Sequence, residues 1–418
     1  MLDRKFLREN RDLVTRAVAR KRESVDIDAY FERDAERRAL LQEVEELQAR
    51  ANRENKAIAA RRKAGEDVTA DIARMKELSA RIKELRARVA AVEAAVRELY
   101  LRIPNIPHAS VPDGGEEDAV EVRRWGEPRP AADVPPHWEI AARLGWWHPE
   151  AAGRLSGSGF PLLSGELARL ERVLVDFMID LHRERGYREV SVPYLVNDDA
   201  MLGTGQLPKM ADDMYRVERD ALWLIPTAEV PVTNIHRETT LPAEQLPLKY
   251  VAFSPCFRRE AGAAGKDTRG LLRVHQFHKV EMVQLVRPED SYEALEELTD
   301  EAEEVLRRLE LPYRVVMLAA GDLSFAAAKC YDLEVWAPGV DRWLEVSSCS
   351  NFEDFQARRA GIRYKGGGAS GYVHTLNGSG LALPRLLVAL LENGLTDDGR
   401  VKVPAALQPY LGGRELLG

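Results

Sequence analysis

The sequence has little cysteine and no long apolar run, and each shortage excludes a class of protein. Its three cysteines, Cys256, Cys330 and Cys349, are an odd number without a C-x-x-C pair, so we expect reduced packing residues and no zinc site. No stretch approaches the roughly 18 consecutive apolar residues that a membrane span requires. Residues 1–5 carry mixed charge where a signal peptide would continue into an apolar segment, so we predict a cytoplasmic protein without membrane contact.

Glycine-rich phosphate-binding loops are also missing. The segment Gly262–Asp267 resembles a P-loop, but Glu260 stands where its first glycine is required, and Asp267 stands where Ser or Thr should follow Lys266. No G-x-G-x-x-G motif opens a helix after a strand in residues 103–418. A nucleotide would therefore be bound by side chains on an antiparallel sheet.

The composition describes a folded chain whose charge is unevenly divided. The 418 residues are 45% hydrophobic and 31% charged, which excludes disorder of the whole chain and predicts two or three domains. Residues 1–102 carry 25 Lys and Arg against 20 Asp and Glu, whereas residues 103–418 carry 35 against 48. A basic segment before an acidic body suits a polyanionic partner, although a solvated helix surface gives the same count.

The basic segment contains two long stretches with apolar residues at alternating spacings of three and four, the heptad spacing of paired helices. The seam positions are Leu40, Val44, Leu47, Ala51 and Ile58, then Ile72, Met75, Ser79, Ile82, Leu85, Val89, Val92, Val96 and Leu99. Gly65 can end the first helix and Thr69 can cap the second. We predict an antiparallel coiled-coil hairpin roughly 45 Å long that projects into solvent.

The rest of the chain is predicted to be built mainly of strands. Residues 102–136 are rich in Pro, Gly and acidic residues, as in a linker. An amphipathic helix over 165–185 is closed by Gly186 and followed by a strand over 187–192. Further strand-like runs lie at 249–260, 277–286, 331–336 and 343–348. Because a parallel doubly wound fold needs a helix after nearly every strand, the predicted class is α+β, with an antiparallel sheet and flanking helices beside the coiled-coil hairpin.

Three segments of the body carry residues suited to binding a nucleotide. Arg258 stands at the end of a predicted strand, and Arg385 follows a glycine-rich turn, Gly378–Gly380, that opens an apolar helix. The planar fork of arginine can hold a phosphate or a carboxylate bidentately. Glu345 and Ser348 lie at another strand end, where their oxygens suit a Mg²⁺ ion that accompanies phosphates. Each of these residues alone is more often an ordinary surface group.

The strand, loop and strand around Arg258 form a recognisable motif. Phe257–Glu260, the loop 261–270 and the strand His275–Met282 closely match the second signature of class II aminoacyl-tRNA synthetases, in the form found in the seryl-tRNA synthetase family. Further segments resemble that family at 105–108, 122–128, 203–209, 226–229, 331–336, 347–352 and 376–382. The heptad hairpin stands where the family carries its tRNA-binding arm, so the resemblance spans nearly the whole chain.

This resemblance implies a two-step reaction. Serine and ATP with Mg²⁺ would form seryl-adenylate, and the 3′-terminal adenosine of tRNA(Ser) would then take the seryl group. Residues 1–102 would be an N-terminal tRNA-binding domain, and residues 103–418 would be the linker and the catalytic domain. The implied partners are L-serine, ATP and tRNA(Ser), with tRNA(Sec) left open, and a second copy of the chain in a homodimer. Neither DNA nor a membrane is expected to be a partner.

The family pattern also implies roles for individual residues. Arg258, Glu260 and Arg385 are expected to be catalytic, with Arg258 bridging the serine carboxylate and the α-phosphate, Glu260 at the adenine and Arg385 on the γ-phosphate. The expected serine-binding residues are Thr227, Ala228, Glu229, Glu281 and Ser379, with Thr227 and Glu229 near the amino group and Glu281 and Ser379 near the hydroxyl. The expected ATP-binding residues are Arg258, Arg259, Glu260, Val274, Glu345, Val346, Ser347, Ser348 and Arg385. Glu345 and Ser348 are expected to meet the Mg²⁺.

Three positions depart from the family pattern. Arg259 stands where serine is usual, Pro384 where a glycine commonly precedes the last signature arginine, and Gly159 where a basic residue is common. Arg259 is predicted to point outward from its strand, and Pro384 to fit the first turn of a helix. The sequence gives no reason for Gly159.

Two rival functions remain open from the sequence. A paralogue that loads an activated amino acid onto a carrier protein would have no use for the helical hairpin. A non-enzymatic coiled-coil regulator would be expected to have lost at least one charged residue of the site, yet all five are present: Arg258, Glu260, Glu281, Glu345 and Arg385.

Overall fold

The computed structural model describes residues 1–131, 134–261 and 269–418, and these divide into two compact units. The first, here called the helical unit, comprises Arg4–Val18 and Glu23–Ile103. The second, here called the sheet unit, comprises Met1–Asp3, Ala19–Arg22 and Pro104–Gly418.

Residues 1–100, all of them described, form four α-helices. These are α1 (Arg4–Glu9), α2 (Arg11–Arg20), α3 (Ile27–Lys63) and α4 (Thr69–Tyr100). Asp26 caps α3, because its side chain accepts the backbone N–H of Ala29 at 2.8 Å. At 1.5 Å per residue, α3 is about 55 Å long and α4 about 48 Å. The predicted pair of long heptad helices is confirmed, and each is somewhat longer than predicted.

Two apolar clusters fill the seam between α3 and α4. One cluster consists of Leu40, Val44, Leu85 and Val89. The other consists of Ala51, Met75 and Ile82, with Leu78 packed against it. Ile72 and Ser79, which were predicted to lie on the seam, are exposed, Ile72 by 53%. Alternating steps of three and four residues back from Leu85 lead to Ile82, Leu78 and Met75, so the heptad register itself places Leu78 on the seam, and the predicted positions 72 and 79 were out of register with it.

The turn between α3 and α4 differs from the prediction in its cap. Gly65 ends α3 with a φ of 82°, as predicted. Thr69 does not cap α4, because it is the first residue of that helix. Asp67 takes the capping role: its carboxylate accepts the N–H of Thr69 at 2.9 Å and the Thr69 hydroxyl at 2.7 Å.

An eight-stranded sheet organises the described part of the sheet unit. In spatial order its strands are β1 (Val120–Trp125), β9 (Tyr313–Met317), β10 (Lys329–Ala337), β11 (Arg342–Asn351), β14 (His374–Ala382), β8 (Gln276–Val286), β7 (Leu248–Phe257) and β2 (Arg188–Glu189). Neighbouring strands are antiparallel, except that β2 runs parallel to β7. The predicted antiparallel sheet is therefore confirmed.

Smaller sheets and helices surround the large sheet. The short strands are β3 (Leu195–Val196), β4 (Arg216–Val217), β5 (Leu222–Leu224), β6 (Thr240–Pro242), β12 (Arg363–Gly366), β13 (Ala369–Tyr372), β15 (Val401–Lys402) and β16 (Leu416–Leu417). The helices are α5 (His137–Arg143), α6 (Pro149–Ser156), α7 (Gly165–Glu184), α8 (Asp198–Thr204), α9 (Glu229–Thr233), α10 (Ser291–Arg308), α11 (Phe355–Ala360) and α12 (Leu383–Gly394). Within the described residues, we find no helix long and apolar enough to cross a membrane.

The two faces of the large sheet carry separate apolar clusters. Helices α7, α10 and α12 pack with Val280 and Met282 of β8 in the larger cluster. Val283 and Leu285 of the same strand belong to a second cluster with residues of α9 and α11. Because alternate residues of a strand point to opposite faces, Glu281 lies on the face of Val283 and Leu285.

Three predicted segments differ from the observed structure. The predicted linker contains β1, whose residues pair with β9 and so extend the large sheet. The strand predicted over 187–192 is reduced to the two residues of β2. The glycine-rich turn Gly378–Gly380 is instead the middle of β14, where a Cβ on Gly380 would stand 2.4 Å from His182 Nε2. Glycine is needed there for close packing inside a strand.

Candidate active site

Predicted site residues meet where β7, β8, β14 and β11 lie side by side. Glu281 of β8 stands directly opposite Ser379 of β14. The hydroxyl of Ser347, on β11, donates to the backbone oxygen of Ser379 at 2.6 Å. On the other side of β8, β7 ends at Phe257, so that Arg258 directly follows the strand. Sheet register thus brings together residues that are far apart in the sequence.

Glu281 is a fully buried carboxylate with two side-chain partners. Lys279 Nζ lies 2.5 Å from Glu281 Oε2, and Asn377 Nδ2 donates to Oε1 at 3.0 Å. Residues two apart on a strand share a face, which explains why Lys279 accompanies Glu281 and Asn377 accompanies Ser379. The Glu281 carboxylate is therefore a hydrogen-bond acceptor held in a fixed position on this face of the sheet.

Glu229 brings a second buried carboxylate to the same place. It is the first residue of α9, and its Oε1 accepts from Gln356 Nε2 at 2.6 Å. Burial, followed by repulsion from the Glu281 carboxylate, raises the pKa of Glu229 to about 7. Thr227 Oγ1 accepts the backbone N–H of Glu229 at 3.2 Å, and Ala228 between them is fully buried. Two carboxylates in a dry pocket favour a small ligand that carries an ammonium group.

Arg258 stands beside these carboxylates. Its guanidinium lies over the Phe277 ring, 5.1 Å from the centroid, and its Nε donates to the carbonyl of Pro226 at 3.4 Å. Its backbone N–H donates to the carbonyl of His275 at 2.8 Å. The positive charge of Arg258 partly offsets the rise in the pKa of Glu229 that burial and Glu281 cause.

The two residues after Arg258 lie beyond the end of β7. Arg259 is exposed, as predicted, but it lies outside the strand: its N–H donates to Asp213 O at 2.7 Å and its Nη1 to Asp212 O at 3.1 Å. Glu260 has a φ of 52°, a left-handed conformation that costs about 1 kcal/mol in a residue other than glycine. Its carboxylate pairs with Arg273 Nε at 3.2 Å.

Arg385 joins α12 to two neighbouring segments. Its Nη1 donates to the backbone oxygen of Glu345 at 2.8 Å and to Glu345 Oε2 at 3.2 Å, and its Nε donates to Leu272 O at 3.1 Å. Pro384 is the second residue of α12, as predicted. The missing N–H of a proline costs no intrahelical bond in the first turn, so Pro384 is compatible with this placement of Arg385.

Ser348 and the two valines are oriented differently from the charged residues. The Ser348 hydroxyl lies 3.0 Å from Cys330 Sγ, and Asp332 stands opposite Ser348 in the sheet. Val274 and Val346 are buried. In the described ranges, no group of three or more His, Cys, Asp and Glu side chains could hold a metal ion. The P-loop-like segment 262–267 lies outside the described residues.

Three polar residues of the pocket were missed by the sequence reasoning: Lys279, Asn377 and Gln356. Lys279 and Asn377 each stand two residues from a predicted residue, and strand alternation could have found them. Gln356 lies on α11, and only the tertiary structure brings it to Glu229.

Gly159 also has a structural reason. Its φ is 82°, and a Cβ at this position would lie 2.4 Å from His275 Cδ2. The backbone N–H of His275 donates to Gly159 O at 2.8 Å. A side chain at position 159 would push against the residue whose carbonyl holds the N–H of Arg258.

Comparison with known proteins agrees with this geometry. Residues 215–394 match the family described as tRNA synthetase class II core domain (G, H, P, S and T), and residues 1–107 match the seryl-tRNA synthetase N-terminal domain. The chain is 56% identical to a serine–tRNA ligase of Caldanaerobacter subterraneus subsp. tengcongensis, over 98% of this chain and 98% of the relative. The chain belongs to the seryl-tRNA synthetase family.

Other members of the seryl-tRNA synthetase family are similar along the entire chain. A serine–tRNA ligase of Pelotomaculum thermopropionicum is 52% identical over 100% of both chains. The crystal structure of seryl-tRNA synthetase from Pyrococcus horikoshii, complexed with ATP, has a TM-score of 0.92 at 38% identity, covering 100% of this chain and 99% of that one. The resemblance and the fold class predicted from the sequence are confirmed.

Proposed function

We propose that this chain catalyses the serine–tRNA ligase reaction. A carboxylate oxygen of L-serine attacks the α-phosphorus of ATP, and pyrophosphate leaves. A hydroxyl of the 3′-terminal adenosine of tRNA(Ser) then attacks the acyl carbon of seryl-adenylate, and AMP leaves. The observation that carries this proposal is that two buried carboxylates, Glu229 of α9 and Glu281 of β8, interact with each other, and that Glu229 also interacts with Arg258 at the end of β7.

The carboxylate pocket fits serine at two points. Glu229, with Thr227 and Ala228 beside it, receives the ammonium group, and Glu281 accepts the hydroxyl opposite Ser379. Alanine lacks the hydroxyl that Glu281 would accept, and sites built to bond a hydroxyl reject such analogues by about 10⁴ to 10⁵. Threonine carries the same hydroxyl with one more methyl group, so it has to be excluded by volume.

Arg258 brings two anions together at the edge of this pocket. The serine carboxylate and the α-phosphate repel each other, and a bidentate guanidinium can bridge them. Its contact with the Phe277 ring limits the directions in which the fork can point. The reaction requires no covalent bond to the protein, so catalysis consists of positioning and charge stabilisation.

The remaining predicted residues bind the outer parts of ATP. Arg385 takes the γ-phosphate and Glu260 the adenine end. The other predicted contacts come from Arg259, Val274, Glu345, Val346, Ser347 and Ser348. Glu345 already pairs with Arg385, so the γ-phosphate would share or replace this carboxylate.

The magnesium that accompanies ATP fits the oxygens of Glu345 and Ser348. Mg²⁺ usually keeps several waters and is bound through one or two carboxylates plus phosphate oxygens, so a single carboxylate and a hydroxyl suffice on the protein side. The ion would offset phosphate charge in the first step. Glu345 is half-exposed and accessible for this role, whereas the Ser348 hydroxyl must turn from Cys330 towards the phosphates.

Residues 1–102 act as the tRNA-binding domain, and α3 and α4 supply its positive charge. Their exposed cations include eight towards the turn that joins the two helices: Lys56, Arg61, Arg62, Lys63, Arg74, Lys76, Arg81 and Lys83. Recognition by phosphate contacts and shape suits an RNA stem, since its deep, narrow groove hides the base edges. Arg61, Arg74 and Arg81 hold carboxylates of the hairpin itself, so their phosphate contacts compete with these ion pairs.

The wider assembly follows the family expectation. We infer a cytoplasmic homodimer whose interface includes α7 and the segment of β2, without DNA or membrane partners. Light scattering gives the mass of the particle directly, and a monomer at micromolar concentration would refute the dimer. Charging of purified tRNA(Sec) decides whether it is a second substrate beside tRNA(Ser).

One pair of assays tests the reaction. Exchange of labelled pyrophosphate into ATP should depend on L-serine, and the same preparation should charge bulk tRNA with serine. Exchange without charging would point to loading of a carrier protein. Absence of both would point to a non-enzymatic role.

A further inference from the structure

A buried histidine and glutamate outside the pocket form a tightly bonded pair. His137, the first residue of α5, is 1% exposed, and Glu392, in the last turn of α12, is 0% exposed. Glu392 Oε1 accepts the backbone N–H of His137 at 2.9 Å and lies 2.9 Å from its Nδ1. Glu392 Oε2 accepts the N–H of Gly339 at 2.8 Å. Both carboxylate oxygens are therefore occupied as acceptors.

The other ring nitrogen of His137 holds a backbone amide. The N–H of Leu271 donates to His137 Nε2 at 3.0 Å. An amide can only donate, so Nε2 must carry the free lone pair, and the ring proton belongs on Nδ1, facing Glu392. The Glu392 carboxylate thus fixes the tautomer that enables His137 to hold Leu271.

The backbone at Gly270 packs closely against the His137 imidazole. Gly270 has a φ of 64°, and a Cβ on it would lie 2.1 Å from His137 Nε2. The guanidinium of Arg269 lies 5.5 Å from the ring centroid of Trp138. The segment 269–271 is thereby fitted to the start of α5 by glycine, cation–π contact and hydrogen bond together.

The residues immediately after Leu271 contact the groups proposed to bind ATP. Leu272 O accepts from Arg385 Nε at 3.1 Å, and Arg273 Nε pairs with Glu260 at 3.2 Å. Helix α12 consequently holds this segment at two points, directly through Arg385 and indirectly through Glu392 and His137.

We propose that His137 and Glu392 are positioning residues for ATP, which act by fixing the backbone of Leu271–Arg273 so that Arg385 and Glu260 stand where the nucleotide needs them. This inference rests on the proposed function of the same site. Neither side chain touches substrate. Changing them is expected to weaken the binding of ATP and not of serine, because the side chains of the serine pocket lie on β8, β14 and α9 and not on residues 271–273.

Three variants separate positioning from simple stability. His137→Leu removes both ring bonds, whereas His137→Gln keeps an acceptor near the place of Nε2. Glu392→Gln keeps the shape, but its amide has a single acceptor end, so it cannot accept from both His137 and the N–H of Gly339. In serine-dependent exchange we expect His137→Leu and Glu392→Gln to raise the KM for ATP about tenfold, because small displacements of positioning groups are costly. The KM for serine should stay within about twofold, and His137→Gln should recover most of the ATP affinity.

Glu303→Gln is the matched control. Glu303 is another buried helical carboxylate, bonded to Arg123 and to the Tyr313 hydroxyl, and it has no link to the segment 271–273. It should lower the melting temperature without changing the KM for ATP. Faster amide hydrogen exchange at Leu271 should accompany His137→Leu and not Glu303→Gln.

Direct titration with ATP alone keeps this inference separate from the proposed reaction. If the unaltered protein showed no serine-dependent exchange, the reaction would be refuted, while the ATP titrations would still decide the role of His137. Unchanged ATP affinity in Glu392→Gln, or equal rises in KM for ATP and serine, would overturn the inference. Should His137→Leu fail to fold, the contrast between His137→Gln and Glu392→Gln carries the same decision.

Discussion

The helical unit and the active site of the sheet unit use charge in opposite ways. On α3 and α4 most charged groups are exposed even when paired, as in Arg81 and Glu43, whose side chains are 44% and 43% exposed; Asp34 and Asp71 are buried exceptions. Such surface pairs contribute about 0 to 1 kcal/mol each and are screened by salt. In the pocket, Lys279 and Glu281 are 7% and 0% exposed, and removing one partner leaves the other charged group buried.

This difference predicts two kinds of recognition. Many weak, interchangeable contacts make tRNA affinity a graded function of charge and salt. A few buried groups with fixed partners make serine activation depend on each of them. The following experiments test this contrast, beginning with the largest expected effect.

Shortening the hairpin should damage one step and spare the other. Removing residues 49–84 and joining the ends with a short Gly/Ser linker deletes all eight exposed cations named above, yet keeps the cluster of Leu40, Val44, Leu85 and Val89. We expect kcat/KM for tRNA charging to fall at least about 10³-fold and the salt dependence of tRNA binding to flatten, because phosphate contacts are lost. Pyrophosphate exchange should stay within about tenfold.

Charge-reversal at two hairpin sites provides the graded counterpart. Lys56→Glu together with Lys83→Glu should produce a smaller loss that salt partly masks. Undiminished charging by the shortened chain would mean that the hairpin serves another partner.

Glu281→Ala should abolish useful serine activation. The change removes the hydroxyl acceptor and leaves Lys279 without its carboxylate, and a charge-assisted hydrogen bond contributes about 1.5 to 3 kcal/mol. We expect a loss of at least about 10²-fold in kcat/KM for exchange. Glu301→Ala, which removes a buried carboxylate paired with Lys249, is the control for burial alone. Exchange within threefold of the unaltered chain would contradict the assignment.

Serine binding should weaken as the pH falls through about 7. Burial and Glu281 raise the pKa of Glu229 to about 7, so the carboxylate that receives the ammonium becomes protonated below this value. Between pH 8 and pH 6 we expect the Kd for serine to rise about tenfold. Glu229→Gln should bind serine weakly with little dependence on pH in this range. A flat profile for the unaltered chain would show that Glu229 does not meet the ammonium.

The same group has the opposite effect on folding. The pKa of Glu229 is higher in the folded chain than in the unfolded chain. The contribution of Glu229 to the free energy of unfolding is therefore present at low pH and is lost as the pH rises through about 7. A ligand-free protein should therefore lose stability from this group where serine binding gains, and serine should restore it. Melting curves at pH 6 and pH 8, with and without serine, measure both signs.

Pro384→Gly should have the smallest effect. Pro384 lies in the first turn of α12 and restricts mainly the unfolded chain, so its loss should lower the free energy of unfolding by under about 1 kcal/mol. The KM for ATP should hardly change. A large improvement would mean that Pro384 displaces Arg385 from its best position.

Local sequence patterns predicted most of the helices and strands, whereas the arrangement of the active site depends on the register between neighbouring strands. Heptad spacing located α3 and α4 because seam contacts repeat along each helix, and strand-like runs located β7, β8, β10 and β11. The cap by Asp67 and the strand at Gly378–Gly380 were mispredicted, since both residue types are common in turns as well as in these roles. Glu281 was predicted through family resemblance alone. Its partners Lys279 and Asn377 follow from alternation once the two strands are known to be neighbours.

The contact between Gly159 and His275 has a consequence for how such chains diverge. Because a Cβ at 159 would lie 2.4 Å from Cδ2 of the imidazole, any other residue at this position requires the His275 ring to turn aside. The Nδ1 of the same imidazole lies 3.1 Å from the backbone oxygen of Arg258, so turning the ring aside gives up a contact with the arginine proposed to lie between the two substrates. The side chain at 159 and the orientation of the ring at 275 therefore restrict each other. In a relative that carries a basic residue at 159, the side chain at 275 should therefore adopt a different rotamer, which a crystal structure of that relative would show.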